Sequence, residues 1–344
     1  MNTTLTYLII FLALLLAELF YFKLAARFGI VDRPNGRSSH TRPTIRGGGV
    51  VFPLAAVLFF LLCGFGYPWF VLGLVLLAAV EFTDDVRSLP DSVRLVAQFA
   101  AMALMFLQLG LFGGGFPWWY VLVALVLFVG IVNAWNFMDG INGITGGYSL
   151  AVLLPLAYLN AFVETFIDGR LLAVTAIAAL VFCFFNFRTR ARCFAGDVGS
   201  VSVAFIVLFA LGSLVLRTGD LSWIVLLAVY GVDTVLTVCH RVMLHENLGE
   251  AHRKHAYQLM ANELGVRHVL VASFYVLLQL VVSAGAILLS GAAPGVRWAY
   301  LGGVLLVLSA AYVIFMKKNY HLHEEYLRAR AAGNEDGGKN ENKD

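Results

Sequence analysis

Charge is scarce in this chain of 344 residues. Asp, Glu, Lys and Arg together make up 13%, against 60% hydrophobic residues. With a mean hydropathy of +0.82, that balance excludes an ordinary soluble domain, which has no need of so much apolar surface. The four cysteines (Cys63, Cys183, Cys193 and Cys239) form no CxxC pair, and three lie in apolar runs, so neither a disulfide framework nor a zinc site is indicated. No Lys or Arg precedes the first apolar run; Lys23 and Arg27 follow it. A cleaved signal peptide has the opposite order, so an uncleaved first span with its N-terminus outside is expected. The short alternating segments of a porin-type barrel are also missing. Basic residues fall in scattered loops that membrane topology explains, which leaves nucleic-acid binding without support.

What is present is a series of apolar stretches near the ~20 residues that span a bilayer as a helix. They fall at about 5–25, 48–66, 68–83, 93–112, 117–135, 144–163, 170–187, 198–216, 221–239, 268–290 and 296–316. The expected fold is therefore all-α: a polytopic integral membrane protein with about 11 transmembrane helices, N-terminus outside and C-terminus cytoplasmic. The basic residues test this parity independently. Of the 24 Lys and Arg, all but Arg170, Arg217 and Arg297 fall in segments that this topology places inside. Residues 1–320 read as one transmembrane domain. Residues 321–344, ending "AAGNEDGGKNENKD", read as a polar, disordered cytoplasmic tail.

Once sides are assigned, the polar clusters converge on the inner face. "EFTDDVRSLPDS" follows span three, "NAWNFMDGINGITGG" span five, "NFRTRARCFAGDVGS" span seven and "CHRVMLHENLGEAHRKHAYQ" span nine. Ionisable groups at a membrane edge mark function by default. Asp84 and Asp85 could cap the helix entering span four, but one acid would suffice; two adjacent like charges make more sense beside a cation. Asn136, Asp139 and Asn142 are spaced by three, over one face if helical, with Gly140 and Gly143 allowing close backbone approach to a ligand. Asp197 opens span eight, where a helix N-terminus favours phosphate and a carboxylate could hold a metal ion against it. His252 and His255, flanking Arg253 and Lys254, lack a third zinc ligand and read as a phosphate or diphosphate clamp. The first loop, "DRPNGRSSHTRPTIRGGG", has the Pro and Gly content of a shaped loop, with Arg42 a candidate for an anionic ligand.

Taken in order, DD, NxxxNFMDGINGI, GDVGS and AHRxHxYQ resemble the motifs of the polyprenyl-phosphate N-acetylhexosamine-1-phosphate transferases (glycosyltransferase family 4), closest to the O-antigen-initiating branch. The resemblance covers nearly the whole chain except the tail. It implies transfer of an N-acetylhexosamine-1-phosphate (GlcNAc-1-phosphate or a related N-acetylated amino or deoxysugar) from a UDP-sugar to undecaprenyl phosphate. UMP is released, and surface polysaccharide synthesis is initiated at the cytoplasmic face of a bacterial inner membrane. It implies Mg2+, with Mn2+ as an alternative, and leaves a homodimer open. By this resemblance Asp84, Asp85, Asp139, His252 and His255 are catalytic, and Asp197 and Asp85 hold metal. Asn136, Asn142, Asn186 and Phe194 bind substrate, Phe194 packing on uracil; the readings of the HRKH segment and the first loop add Arg253 and Arg42 as substrate-binding candidates. The peptidoglycan and common-antigen branches usually read DGxDG where this chain has Asn142. Its His motif is split as HRKH. The competing classes are a membrane transporter, which usually has charged groups near the midplane, and a lipid-phosphate binding protein.

Overall fold

The computed structural model describes residues 3–34, 39–113, 115–250 and 252–340, with side chains through 328. Arg37 of the first loop and Lys343 of the tail lie outside the described residues. Each of the eleven apolar stretches is helical. They correspond to α1 (Thr3–Phe28), α2 (Val51–Leu62), α3 (Pro68–Val86), α4 (Asp91–Gln108), α5 (Trp118–Phe137), α6 (Ile144–Phe162), α7 (Gly169–Asn186), α8 (Gly196–Thr218), α9 (Ala228–Met243, preceded by a 3₁₀ segment, Leu221–Leu227), α11 (His268–Leu288) and α12 (Pro294–Asn340). A short helix, α10 (Ala256–Asn262), follows the HRKH segment.

Among the described residues, eight helices are long and apolar enough to cross a membrane; α2, α3 and α4 are not among them. Helix α2 has 12 residues, and α3 ends in the acids Glu81, Asp84 and Asp85. The protein is an all-α, multi-spanning membrane protein. Large apolar side chains such as Phe20, Trp118, Val126, Leu306 and Ile314 stay exposed on α1, α5 and α12. Such faces suit lipid, where the backbone must be satisfied within each helix.

Helix α8 is the axis, packed against α2, α3, α5 and α6. Residues Val198 to Leu214 are buried throughout. Phe70 of α3 stacks on Phe209 of α8 at 4.2 Å between ring centroids. A Cβ at Gly49 would run into the backbone of Gly199, so small residues let the chain before α2 touch α8 directly. The first loop is shaped as expected. Val31–Asp32 (β1) pairs antiparallel with Thr44–Ile45 (β2), and Ile45 bridges to Cys193.

The arginines expected outside cluster at one end of the bundle with acid partners: Arg170 with Asp168, Arg217 with Glu164, and Arg297 with Asp220. The motif residues gather at the other end. Helix α12 continues through the boundary placed at residue 320. His323 is buried there, its Nδ1 2.9 Å from Glu263.

Candidate active site

Three carboxylates meet at the motif end: Glu81 and Asp84 on one face of α3, and Asp197 in the first turn of α8. Each offers an oxygen within 4.8 Å of the others. Arg94, from α4, lies among them, its guanidinium nitrogens 2.8 Å from Glu81, 3.4 Å from Asp84 and 3.1 Å from Asp197. Arg46, delivered by β2, reaches Asp85 at 2.6 Å and Asp197 at 3.5 Å. With all four carboxylates ionised, the two guanidiniums leave two negative charges in this network, which one divalent cation would cancel. The donors are all oxygen, the set preferred by Mg2+, and lie close enough together for one ion to reach all three. The residues present therefore fit such an ion.

Asp85 stands apart from this trio. Its carboxylate accepts the backbone N–H of Asp197 (2.9 Å) and of Val198 (3.0 Å), and so caps α8 from another helix. Gly196 makes this reachable: with φ +69° and no Cβ, it leaves room that a side chain would take from Asp85. The geometry thus gives Asp85 a capping role, at α8 instead of α4. Asp84 accepts the N–H of Leu89 at 2.6 Å and closes the turn into α4. Glu81, buried, takes the position beside the cluster that was expected of Asp85.

The stretch after α5 departs from a single helical face. Helix α5 stops at Phe137, so Asn136 is helical while Asp139 and Asn142 lie in the following turn. Asn136 accepts the hydroxyl of Ser200 at 2.8 Å, and Asp139 accepts that of Thr145. Burial raises the Asp139 carboxyl to about 6, although the Thr145 hydroxyl pulls the other way. Gly140 and Gly143 make room for side chains of the protein, and Gly140 also lines a cavity with Asp139 and Asp197. A Cβ at Gly140 would strike the Tyr257 hydroxyl, and one at Gly143 the Phe187 ring. Asn142 donates to the carbonyls of Arg188 (3.1 Å) and Thr189 (3.3 Å), a job that a carboxylate cannot do. Asn186 is likewise engaged, accepting from Gly143 N–H at 2.7 Å and donating to the Cys193 carbonyl at 2.8 Å.

The HRKH segment divides. His252 and His255 line a cavity, but Arg253 pairs with Glu263 at 2.8 Å and lies over the Tyr326 ring at 4.0 Å, while Lys254 pairs with Glu246. The expected cationic clamp does not form from this segment. Burial, with His255 and Arg241 nearby, lowers His252 to about 3, so that imidazole is neutral at neutral pH.

Two cavities share Asn136. One, of about 430 Å³, is lined by Arg94, Gln98, Asn133, His252 and His255, with Leu95 and Phe137 at its exposed apolar edge. The other, of about 370 Å³, is lined by Arg46, Asp139, Asn142, Asn186, Phe194 and Asp197. His40 stands edge-on to Phe194 at 4.8 Å and lines the second cavity. Arg42 lies farther out, in an adjoining cavity of about 540 Å³ that also includes Phe194.

Sequence reasoning missed Glu81, Arg94, Arg46 and His40. For the first two a signal existed: Glu81 and Asp84 at i and i+3, and Arg94 and Gln98 at i and i+4, give facing polar stripes on consecutive helices. Arg46 was hidden among residues that orientation alone explains.

The profile of the family described as glycosyl transferase family 4 matches residues 67–216. A phospho-N-acetylmuramoyl-pentapeptide-transferase of Heliobacterium modesticaldum is 30% identical over 242 residues, covering 62% of this chain and 73% of that protein. The chain belongs to glycosyl transferase family 4. Another relative in the family is a probable undecaprenyl-phosphate N-acetylglucosaminyl 1-phosphate transferase of Bacillus subtilis. It is 25% identical over 290 residues, covering 78% of this chain and 80% of that protein. An undecaprenyl-phosphate alpha-N-acetylglucosaminyl 1-phosphate transferase of Thermotoga maritima is 28% identical over 253 residues, 70% of this chain and 76% of that protein. The profile covers Glu81, Arg94, Asn136, Asp139 and Asp197; Arg46, His252 and His255 lie outside it.

Proposed function

We propose that this glycosyl transferase family 4 protein transfers an N-acetylhexosamine-1-phosphate from a UDP-sugar to undecaprenyl phosphate, releasing UMP, at the cytoplasmic face of a bacterial inner membrane. GlcNAc-1-phosphate is the first sugar to test, because relatives named for that transfer align over most of the chain. The proposed topology keeps eleven spans, with α2, α3 and α4 included and the motif end inside.

The observation that carries the reading is the pair of cavities meeting at Asn136 beside the acid cluster. In the reaction an acceptor phosphate oxygen attacks the β-phosphorus of the donor. A P–O bond forms to the lipid phosphate as the bond to UMP breaks. Both partners are anionic, so the protein's task is mostly to position them and neutralise charge. A divalent cation bound by Glu81, Asp84 and Asp197 would supply electrostatic stabilisation of the diphosphate. Arg46 and Arg94 stand on either side of Asp197 and provide fixed positive charge for the two phosphates. The Asp139 and Phe194 cavity suits the nucleotide: a carboxylate for N–H and O–H groups, and an aromatic ring for the base. The Arg94 and His255 cavity suits the acceptor, because its Leu95 and Phe137 edge offers a prenyl chain an apolar way in from the membrane.

The test is purified protein with undecaprenyl phosphate, Mg2+ and a panel of UDP-sugars, reading UMP release. One UDP-N-acetylhexosamine should be turned over well above the rest. No UMP from any of them would refute the reading.

A further inference from the structure

Asp233 belongs to none of the motifs that carry the family resemblance. It is buried in α9, and its carboxylate is the most heavily engaged in the described residues. One oxygen accepts the Ala256 N–H at 3.0 Å and the Thr237 hydroxyl at 3.2 Å, and lies 3.3 Å from Nδ1 of His255. The other accepts the Tyr275 hydroxyl at 2.6 Å and the Tyr257 N–H at 3.4 Å. Asp233 therefore fixes both the start of α10 and the ring of the residue before it. His255 is 1% exposed, and its Nε2 is buried with no hydrogen-bond partner among the described residues. A buried polar atom without a partner is costly unless a ligand supplies one. His255 lines the cavity that holds Arg94 and Asn136. With Nδ1 committed to Asp233, Nε2 is the atom left to meet whatever enters.

We infer that Asp233 is a positioning residue of the transfer: it holds His255 with both ring nitrogens protonated, so that Nδ1–H donates to Asp233 and Nε2–H donates to a phosphate oxygen of the prenyl acceptor beside Arg94. The class of ligand follows from the cavity, where Arg94, His252 and the oriented His255 lie in one lining with an apolar edge, Asp91 and Glu250 also lining it. A carboxylate behind an imidazole sets its orientation and favours the doubly protonated ring, which leaves the far N–H to donate to substrate. The inference rests on the acceptor site proposed above and adds a buried residue, remote from the phosphates, that acts only through His255.

The test is a double-mutant cycle on the full-length protein, normalised to folded molecules. His255→Gln should lower kcat/KM for undecaprenyl phosphate about 30-fold or more, with KM for the UDP-sugar moving less than twofold. Asp233→Asn should lower it about tenfold, and the double variant should be no worse than His255→Gln alone. Losses that multiply, or full turnover by Asp233→Asn, would overturn the inference. Binding of undecaprenyl phosphate to the same variants separates this claim from the reaction itself. If the wild type releases no UMP, the proposed function falls. The positioning claim then stands on both single variants weakening binding and the double adding nothing, and falls on additive or absent effects. Should Asp233→Asn fail to fold, 15N-histidine spectra of the wild type decide the matter. The His255 signal, assigned by its loss in His255→Gln, should show a protonated Nδ1 and an Nε2 that shifts when undecaprenyl phosphate is added. A bare Nδ1 or an unmoved Nε2 would overturn the claim.

Discussion

Two buried acid centres lie at the motif end and are built in opposite ways. Around Glu81, Asp84 and Asp197 the acids outnumber the guanidiniums that meet them, with Arg94 shared among all three and Arg46 reaching Asp197 alone of them. Around Asp233 a single carboxylate is met by two backbone N–H groups, two hydroxyls and an imidazole. Like charges held close raise the free energy of the folded state until a cation joins them, whereas a carboxylate with its acceptor sites filled is a fixed part of the fold. The proposed chemistry uses the acids that lack charged partners, and the proposed role of the satisfied acid is to hold His255.

The sharpest way to break this comparison is to remove one charge from each kind of site. Asp197→Asn should abolish transfer, by about 10³-fold or more in kcat, since it removes one charge from the proposed cation site. Its melting temperature should hold or rise because a crowded acid is gone. Asp85→Asn should do the reverse to stability. It loses the ion pair with Arg46 and weakens the cap on α8, at a cost of about 1–3 kcal/mol. Thermal unfolding and UMP release on the same samples check both. A fall in melting temperature for Asp197→Asn equal to that for Asp85→Asn would erase the distinction.

A smaller effect is expected at Asp139. Asp139→Asn should lower kcat/KM for the UDP-sugar by about 10- to 100-fold, the loss of a charged hydrogen bond of about 1.5–3 kcal/mol. Because burial raises this carboxyl to about 6, wild-type kcat/KM for the UDP-sugar should fall as pH drops through 6 and the Asp139 carboxylate becomes protonated. That limb should be missing from the Asp139→Asn profile. The sign for stability is opposite. The folded chain holds this proton more tightly than the unfolded one, so the stabilisation is complete below the ordinary carboxylate range and is lost as pH rises through 6.

The smallest effect on turnover should come from Arg253→Gln. The structure pairs Arg253 with Glu263, which also meets His323 of α12. The variant should leave KM for either substrate within about twofold, yet destabilise the protein by about 1–3 kcal/mol as Glu263 loses its charged partner. A tenfold rise in KM would restore Arg253 to the substrate.

The helices were legible because apolar runs of bilayer length need no tertiary information, and the charge bias gave an expectation of their sides. Asp197 and Asp139 were legible as acids at helix ends. Which acids face one another was not. Asp84 and Asp85 are adjacent in sequence, yet a helix turns each by about 100°, so one joins Glu81 and Asp197 while the other turns to the backbone of α8. Nor could the stretch from Asn136 to Gly143 say that its glycines make room for Tyr257 and Phe187, which arrive from far along the chain. Arg253 was misplaced for a similar reason: its partners, Glu263 and Tyr326, belong to segments whose approach no local spacing records.

Glu81, Asp84 and Asp197 are proposed to form a divalent-cation site. Titration of the purified protein with Mn2+, followed by electron paramagnetic resonance in the absence of substrates, tests it most directly. One Mn2+ should bind per chain and be displaced by Mg2+. Binding should be lost in Glu81→Gln and Asp197→Asn but kept in Asp233→Asn. Undiminished Mn2+ binding by Asp197→Asn, or no bound Mn2+ in the wild type, would contradict the account.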